Sequence, residues 1–141
     1  MSKRTQIRTA FAALITGLAT TGANVFVART RPLADANLPA ILVFSGEHEP
    51  VSNPASSMRP DAYTFRLRAD IVVKDSSTAE ATADSILEEI ETAVFASIAA
   101  NTLSGLVAHT RLVSVGEPDL DDALEKPAVR VPVLFEVFYT E

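Results

Sequence analysis

The residues whose side chains are best suited to metal binding are a histidine and the two acidic residues beside it. His48 stands between Glu47 and Glu49, and imidazole with carboxylates is a common ligand set for zinc. Adjacent residues on an extended segment point in different directions, and no second histidine follows at a ligand spacing. The sequence therefore predicts no metal site, and we expect His48 to lie in a solvated loop where it tunes a contact.

Groups that could serve nucleophilic or acid-base catalysis are present without their usual surroundings. Ser104 has no G-x-S-x-G sequence around it, and the five glycines form no phosphate-binding loop. Asp121 and Asp122 are paired carboxylates, but a polar loop offers no burial to tune them for proton transfer. We expect His109, on the same strand face as Arg111, to be a surface histidine. The sequence thus predicts neither an enzyme nor a cofactor site.

The strongest charge pattern joins a basic strand segment to an acidic helix. Arg66 and Arg68 alternate along a predicted strand, and four acidic residues recur on one side of the following helix. These four residues, called the acidic stripe below, are Glu80, Asp84, Glu88 and Glu91. The simpler interpretation is that these charged residues lie on solvated faces, or pair inside one subunit with Arg4 and Arg8. The functional interpretation is that the basic pair and the acidic stripe form a contact between subunits.

Length and composition bound the remaining possibilities. A chain of 141 residues with 48% hydrophobic residues suits one domain with one core. A net charge of -6 argues against general capture of nucleic acid, and the absence of cysteine excludes disulfides and thiolate sites. Residues 1–74 carry a net charge of +4 and residues 75–141 carry -10. Packing of the two halves within one subunit, or head-to-tail pairing between subunits, would satisfy this asymmetry.

The first part of the chain predicts one helix and two strands. Apolar residues recur at helical spacing from Ile7 to Leu18 and predict a first helix that ends between Gly17 and Gly22. A short strand follows at 25–28, a loop at 29–39 and a mostly apolar strand at 40–45. The basic residues before the first apolar run do not form a signal peptide, and no segment reaches the roughly 18 apolar residues of a membrane span. We therefore expect a soluble protein.

Residues 46–61 are predicted to form a long, exposed and mobile loop. Pro50, Pro54 and Pro60 lie in this segment among serines, a composition that opposes a helix or a central strand. Long loops in compact domains are often binding elements. The sequence therefore nominates this loop as a partner-binding arm.

The second part predicts a strand, a helix and two further strands. Alternation over 63–73 indicates a strand with one wet face. Ser77 and Glu80 match a capping box that would start the second helix. Strands follow at 106–115 and 129–139 around an acidic loop at 117–126, and Pro132 predicts an edge or bulged position for the last strand. This order predicts an α+β fold, a mainly antiparallel β-sheet with two helices packed on one face.

The same order of features resembles a known family over nearly the whole chain. The features that carry the resemblance are an amphipathic first helix with Ile7, Arg8, Ala10 and Leu14, then Val25 and Phe26, the strand entry at 38–43, the acidic residues Glu47 and Glu49, a long strand ending in Asp75 and Ser76, a helix rich in Glu and Ile, and a terminal strand closing at 138–141. In order, spacing and length the chain is similar to the tail terminators of long-tailed phages, the siphovirus minor tail protein U type. The chain lacks the tryptophans of some members and has a longer proline-rich loop.

The resemblance implies a structural role in the virion. Tail terminators form a ring, expected to be a hexamer, at the head-proximal end of the tail, and assemble in the host cytoplasm. The ring caps the tail tube protein, stops tube polymerisation and joins the tail to a neck or head-completion protein. DNA passes through the lumen without specific binding, and an acidic lumen would let it slide. No membrane contact is implied.

Two other functions stay open from the sequence. The chain could be another neck, tail-completion or tail-tube subunit, or a small-molecule-binding or enzymatic domain if a pocket gathers His48, Glu49 and Arg59. In the ring interpretation, Arg66 and Arg68 of one subunit approach the acidic stripe of the next. The candidate interface residues are Arg29, Arg31, Glu47, His48, Glu49, Arg59, Arg66, Arg68, Glu80, Asp84, Glu88, Glu91, Asp119, Asp121 and Asp122.

Overall fold

The computed structural model describes residues 2–27, 38–51, 62–121 and 128–140, except for the side chain of Asp121. Within these ranges three helices and six strands follow one another. They are α1 (Lys3–Leu14), β1 (Val25–Val27), β2 (Ala40–Pro50), β3 (Ala62–Lys74), α2 (Ala79–Phe95), α3 (Ile98–Asn101), β4 (His109–Val115), β5 (Asp119–Asp121) and β6 (Ala128–Thr140). None of the helices in the described ranges combines the length and the apolar content that a membrane span requires.

The described strands form one sheet in the order β1-β2-β3-β6-β4, with β5 also beside β6. β1 runs parallel to β2, and the other paired strands are antiparallel. The predicted α+β class is confirmed. The sheet is partly parallel, which the sequence pattern did not predict. About a dozen residues connect β1 to β2, and a connection of this length allows two neighbouring strands to run parallel.

The main core lies between one face of the sheet and the two longer helices. Alternate residues of β3 and β6 face the helices, and the ring of Phe11 in α1 meets that of Phe135 in β6 at 5.3 Å between centroids. Burial of each such large side chain stabilises the fold by about 1.5–3 kcal/mol. The alternating residues in this core are Phe65, Leu67, Ala69, Ile71, Val73, Val131, Val133, Phe135, Val137 and Tyr139.

The helix boundaries differ from prediction in two places. α1 ends at Leu14, and the chain then turns through Gly17, whose positive φ of 89° suits glycine. The predicted capping box at α2 is wrong, because the N-cap is Thr78 and its side chain makes no capping hydrogen bond. The Ser76 hydroxyl instead accepts a hydrogen bond from the Thr78 N–H. The helix therefore starts one residue later than predicted, after a short turn held by Ser76.

β2 is longer than predicted, so the predicted loop at 46–61 is wrong for its first five residues. Residues 46–50 continue the strand, pairing His48 with Phe65 and Pro50 with Tyr63 after a register shift at Ser45. Because β1 pairs only with 41–43 in the described structure, this extension is an edge, where a proline costs no ladder hydrogen bond. Residues 52–61 lie outside the described residues.

The chain between α2 and β6 is also more regular than predicted. The short helix α3 was not predicted, and the strand expected from residue 106 starts only at His109. Within the predicted acidic loop at 117–126, residues 119–121 form β5 and pair with 128–130 of β6. Pairing with an existing strand has overridden the turn-like composition of this segment. Residues 122–127 lie outside the described residues.

Of the two positions predicted from Pro132, the edge position is wrong, because β6 is a central strand between β3 and β4. An irregularity of the bulge type lies close to it, since the register of β4 with β6 shifts between Leu112 and Ser114, opposite residues 134 and 135. The Pro132 carbonyl accepts a hydrogen bond from the Gly116 N–H at 2.7 Å, so the Pro132 nitrogen also points away from β3. On that side the ladder with β4 ends at Val133 and the ladder with β5 ends at Arg130. The missing N–H therefore falls in the gap between two partner strands.

Replacing Gly116 by alanine is expected to lower the free energy of unfolding by about 1–3 kcal/mol, the usual cost of overpacking. A Cβ at Gly116 would lie 2.5 Å from Cγ of Pro132, and the stiff proline ring cannot move aside. Urea unfolding would measure the change. Ser114→Ala, at an exposed site on the adjoining strand, is the control and should leave the midpoint nearly unchanged. Equal midpoints for both variants would contradict this close approach.

Candidate interaction surfaces

His48 belongs to an aromatic cluster at one end of the sheet. Its Nε2 atom lies 2.6 Å from the Tyr139 hydroxyl, and its ring stacks on Tyr63 at 4.8 Å between centroids. Tyr139 is 1% exposed, and Phe65 completes the cluster edge-on. The predicted solvated loop position is therefore wrong for His48, because the register shift in β2 turns its side chain towards the core.

The neighbouring carboxylates do not join His48 in a site. Glu47 and Glu49 are exposed, and Glu49 pairs with Thr64, a strand position that faces away from the helices. His48 and Glu49 therefore point to opposite faces of the sheet. In the described part of the chain no group of three or more His, Asp or Glu side chains is arranged to hold a metal ion. Arg59, the third member of the predicted pocket, lies outside the described residues.

The sheet face opposite α1 and α2, called the helix-free face because no described helix packs on it, carries an ion-pair network. Arg66 Nε lies 3.4 Å from Oε2 of Glu136, and Arg111 Nη2 lies 2.9 Å from Oε1 of the same carboxylate. Register places Arg66 and Arg111 on the two strands that flank Glu136. The Glu136 carboxylate in β6 therefore forms ion pairs with both Arg66 and Arg111.

A second carboxylate on this face is buried. Asp70 is 1% exposed, with Oδ2 at 2.8 Å from Arg130 Nη1 and Oδ1 at 3.1 Å from Arg68 Nε. The contact at Oδ1 is a close charge pair without hydrogen-bond alignment, which leaves that oxygen without a hydrogen bond. Arg68 also lies over the ring of Phe44 at 4.7 Å. The predicted wet face of β3 is thus wrong at Asp70.

The burial of Asp70 follows from a second, smaller apolar cluster on the helix-free face. Its buried members come from the chain before β2, from β2 and β3, and from the start of β6, with Phe26 and Phe44 packed against them. They are Leu38, Ala40, Leu42, Val72 and Ala128. Further along the same face, Phe44, Leu134 and Phe138 are half-buried. The helix-free face thus combines apolar side chains with four arginines around two carboxylates.

The acidic stripe lies on α2 as predicted. Glu80, Asp84 and Glu88 are exposed and Glu91 is half-buried, and none of the four forms an ion pair within the described ranges. The basic residues of α1 are used elsewhere: Arg8 donates to the Ser45 hydroxyl at 2.8 Å, and Arg4 lies over the ring of Phe65. The pairing of this stripe with Arg4 and Arg8 inside one subunit is therefore wrong.

Glu89, which the sequence did not single out, holds the turn after α1. Its carboxylate accepts hydrogen bonds from the backbone N–H and the hydroxyl of Thr20. This bidentate contact joins α2 to a turn about 70 residues earlier in the chain. The acid nearest the stripe is thus a structural residue.

The helix layer also carries a surface that sequence reasoning missed. Residues 9–27 and 92–108 contain no charged side chain, and the fold places them together. Residues of α1 and of the α3 region line one groove of about 430 Å³, and the turn after α1 lines another with the outer side of α2. The second run also lines a further groove beside α3, where Ile98 is 84% exposed and Phe95 is 47% exposed. We call this surface the charge-free patch, and the two uncharged runs are its sequence signal.

The remaining predicted interface residues are scattered. Asp119 is exposed in β5, and the backbone of Asp121 belongs to the same strand. Arg29, Arg31 and Asp122 lie outside the described residues. Arg66 and Arg68 have carboxylate partners within the chain, as described above, and Glu47 and Glu49 are exposed on β2.

Comparison with known proteins supports the fold alone. No protein-family model matches the sequence, and no curated protein matches it. Among solved structures, one chain whose name states no function superposes with a TM-score of 0.62 at 17% sequence identity. The match covers 100% of this chain and 96% of that chain. At this identity the likeness extends to the arrangement of helices and strands along the whole chain.

Proposed function

We propose that this chain is a structural virion protein, a tail terminator whose ring caps the tail tube, stops its polymerisation and joins the tail to a neck or head-completion protein. The observation that carries the proposal is that one small subunit presents two extended and different surfaces. The helix-free face is apolar and basic, whereas the helix layer combines the charge-free patch with the acidic stripe beside it. Unlike surfaces on one subunit are what a head-to-tail ring requires.

The sequence resemblance supports the same proposal. Its features fall on α1, on the start of β2, on β3 with the following turn, on α2 and on β6. These elements make up most of the sheet and both longer helices. The resemblance therefore follows the elements that build the core and is not confined to one local segment.

A neck, tail-completion or tube subunit is the second candidate, because the same pair of unlike surfaces would suit open polymerisation. The geometry around His48 disfavours the third candidate, a small-molecule site. His48 is engaged by Tyr139 and Tyr63, and Glu49 points to the other face of the sheet.

Electron microscopy and native mass measurement of the purified full chain test the proposed function. We expect closed single rings with a mass near six times 15.0 kDa. Extended tubes would favour a tube subunit, because a terminator must stop polymerisation. A monomer at high protein concentration would contradict both assembly proposals.

A further inference from the structure

The charge-free patch has the composition of an interface core. Protein interfaces are depleted of charged residues at their centres, and exposed apolar patches mark contact sites. In a chain where 21% of residues are charged, the uncharged runs 9–27 and 92–108 meet on one surface. The second run continues into a further groove lined by Phe95 and by Ile98, which is 84% exposed. Together with the two runs, these side chains form an exposed apolar surface without charges, which is the kind that marks a contact site.

We propose that the charge-free patch of one copy packs on the helix-free face of the next copy. The occupant of each surface is thus a second copy of this chain, joined head to tail. This inference rests on the proposed function, since it names the contact from which the ring would be built.

Charge complementarity is the first argument for this pairing. The α2 side of the patch adjoins the acidic stripe, with Glu88 lining the groove that also holds Leu18 and Ala96. The helix-free face offers Arg68 and Arg111, whose side chains are 46% and 58% exposed. An acidic rim against a basic rim steers association and fixes the register of the contact.

The apolar centres of the two surfaces also match. On the helix-free face Phe44, Leu134 and Phe138 are half-buried and have no helix over them in the described structure. Ile98 and Phe95 could fill the spaces between these side chains. Aromatic and aliphatic anchors surrounded by a polar rim are typical of specific interfaces.

The positions of the two surfaces on the subunit determine whether copies associate through like or unlike surfaces. They lie on opposite layers of the subunit, so they cannot cover each other within one copy. A contact of two charge-free patches would bring two acidic stripes together, which like-charge repulsion opposes. Contact between unlike surfaces leaves one free surface of each kind, and a ring closes such a series.

Ile98→Asp tests the patch. Because Ile98 is largely exposed, the monomer should fold normally, which circular dichroism would verify. A carboxylate at this exposed apolar position of the contact should weaken assembly roughly 30-fold or more, as measured by mass distribution against protein concentration. Leu120→Asp is the matched control, because Leu120 is 51% exposed on β5, outside the patch, and should leave assembly unchanged.

Cysteine cross-linking tests which surfaces meet, and the natural chain contains no cysteine to interfere. Ile98→Cys would be combined separately with Thr64→Cys and with Ser114→Cys, two positions on the helix-free face. Oxidation should give disulfide-linked multimers in at least one double variant, with the single variants remaining uncrosslinked. Dimers from Ile98→Cys alone would overturn the head-to-tail contact in favour of a patch-to-patch one.

The outcomes separate this inference from the proposed function. Rings that persist in Ile98→Asp, or double-cysteine rings that never cross-link, would overturn the contact and leave the ring proposal standing. Loss of assembly in Leu120→Asp as well as in Ile98→Asp would also overturn it, because the effect would not belong to the patch. A wild-type chain that stays monomeric would overturn both proposals.

Discussion

Replacing Asp70 by alanine is expected to lower the free energy of unfolding by about 3–5 kcal/mol, as removal of one partner from a buried ion cluster does. Asp70 is 1% exposed and lies within 3.1 Å of Arg68 Nε and 2.8 Å of Arg130 Nη1. Without the Asp70 carboxylate, the guanidinium groups of Arg68 in β3 and Arg130 in β6 lose the negative charge between them. Arg68 is 46% exposed and can recover water, whereas Arg130 is 27% exposed and cannot do so fully. The loss should therefore fall towards the lower end of the range.

Urea unfolding with linear extrapolation would measure this loss, and two variants sharpen it. Asp119 lies opposite Arg130 in the β5–β6 ladder, and Asp119→Ala removes its exposed carboxylate. We expect this variant to change the free energy of unfolding by no more than about 0.5 kcal/mol. The double variant Asp70→Ala/Arg130→Met should lose less stability than the sum of the two single variants, because each single change removes the same 2.8 Å contact. An Asp70→Ala loss no larger than that of Asp119→Ala would contradict the buried cluster.

The sequence could not predict the burial of Asp70 for a physical reason. Alternation along 63–73 correctly assigns Asp70 to the face opposite the helices, and such a face is often solvated. Its burial depends on Leu42 in β2 and on Arg130 in β6, which are brought beside it by strand pairing. Long-range pairing of this kind leaves no local pattern. The strand was therefore predictable, and its ion cluster was not.

The same distinction explains the errors at 46–50 and 119–121. Proline, glycine and acidic residues favour turns when only local preferences act. Both segments become strands because each lies beside a long neighbour whose edge is available, β3 for the first and β6 for the second. Strand propensity depends on such context. The two longer helices were predicted better, because their apolar periodicity is a local property.

Candidate surfaces were predictable in part. The acidic stripe follows from helical spacing alone, and it lies on α2 as expected. The charge-free patch joins two uncharged runs that are about 65 residues apart, so each run is visible in the sequence and their contact is not. Arg66 and Arg68 were correctly placed on one strand face. Their partners Glu136 and Asp70 required the register of β3 with β6.

Replacing Asn101 by leucine is expected to lower the free energy of unfolding by about 2–4 kcal/mol, because it leaves two buried backbone groups without partners. Thr110 in β4 is 3% exposed. Its N–H donates to Oδ1 of Asn101 at 3.3 Å, and its carbonyl accepts from Nδ2 at 2.8 Å. The Thr110 hydroxyl also donates to the Asn101 carbonyl. The amide of Asn101 thus takes the place that a neighbouring strand would occupy beside β4.

Asn101→Asp separates this role from a packing effect, because a carboxylate keeps the acceptor for the Thr110 N–H and loses the donor to the Thr110 carbonyl. Hydrogen exchange of the Thr110 amide is the decisive measurement. We expect fast exchange in Asn101→Leu and continued protection in Asn101→Asp, with both variants less stable than the natural chain. Equal exchange in the two variants would show that Asn101 fills space without pairing the strand edge. Since an unpaired strand edge is a template for association, Asn101→Leu should also aggregate more readily than Asn101→Asp.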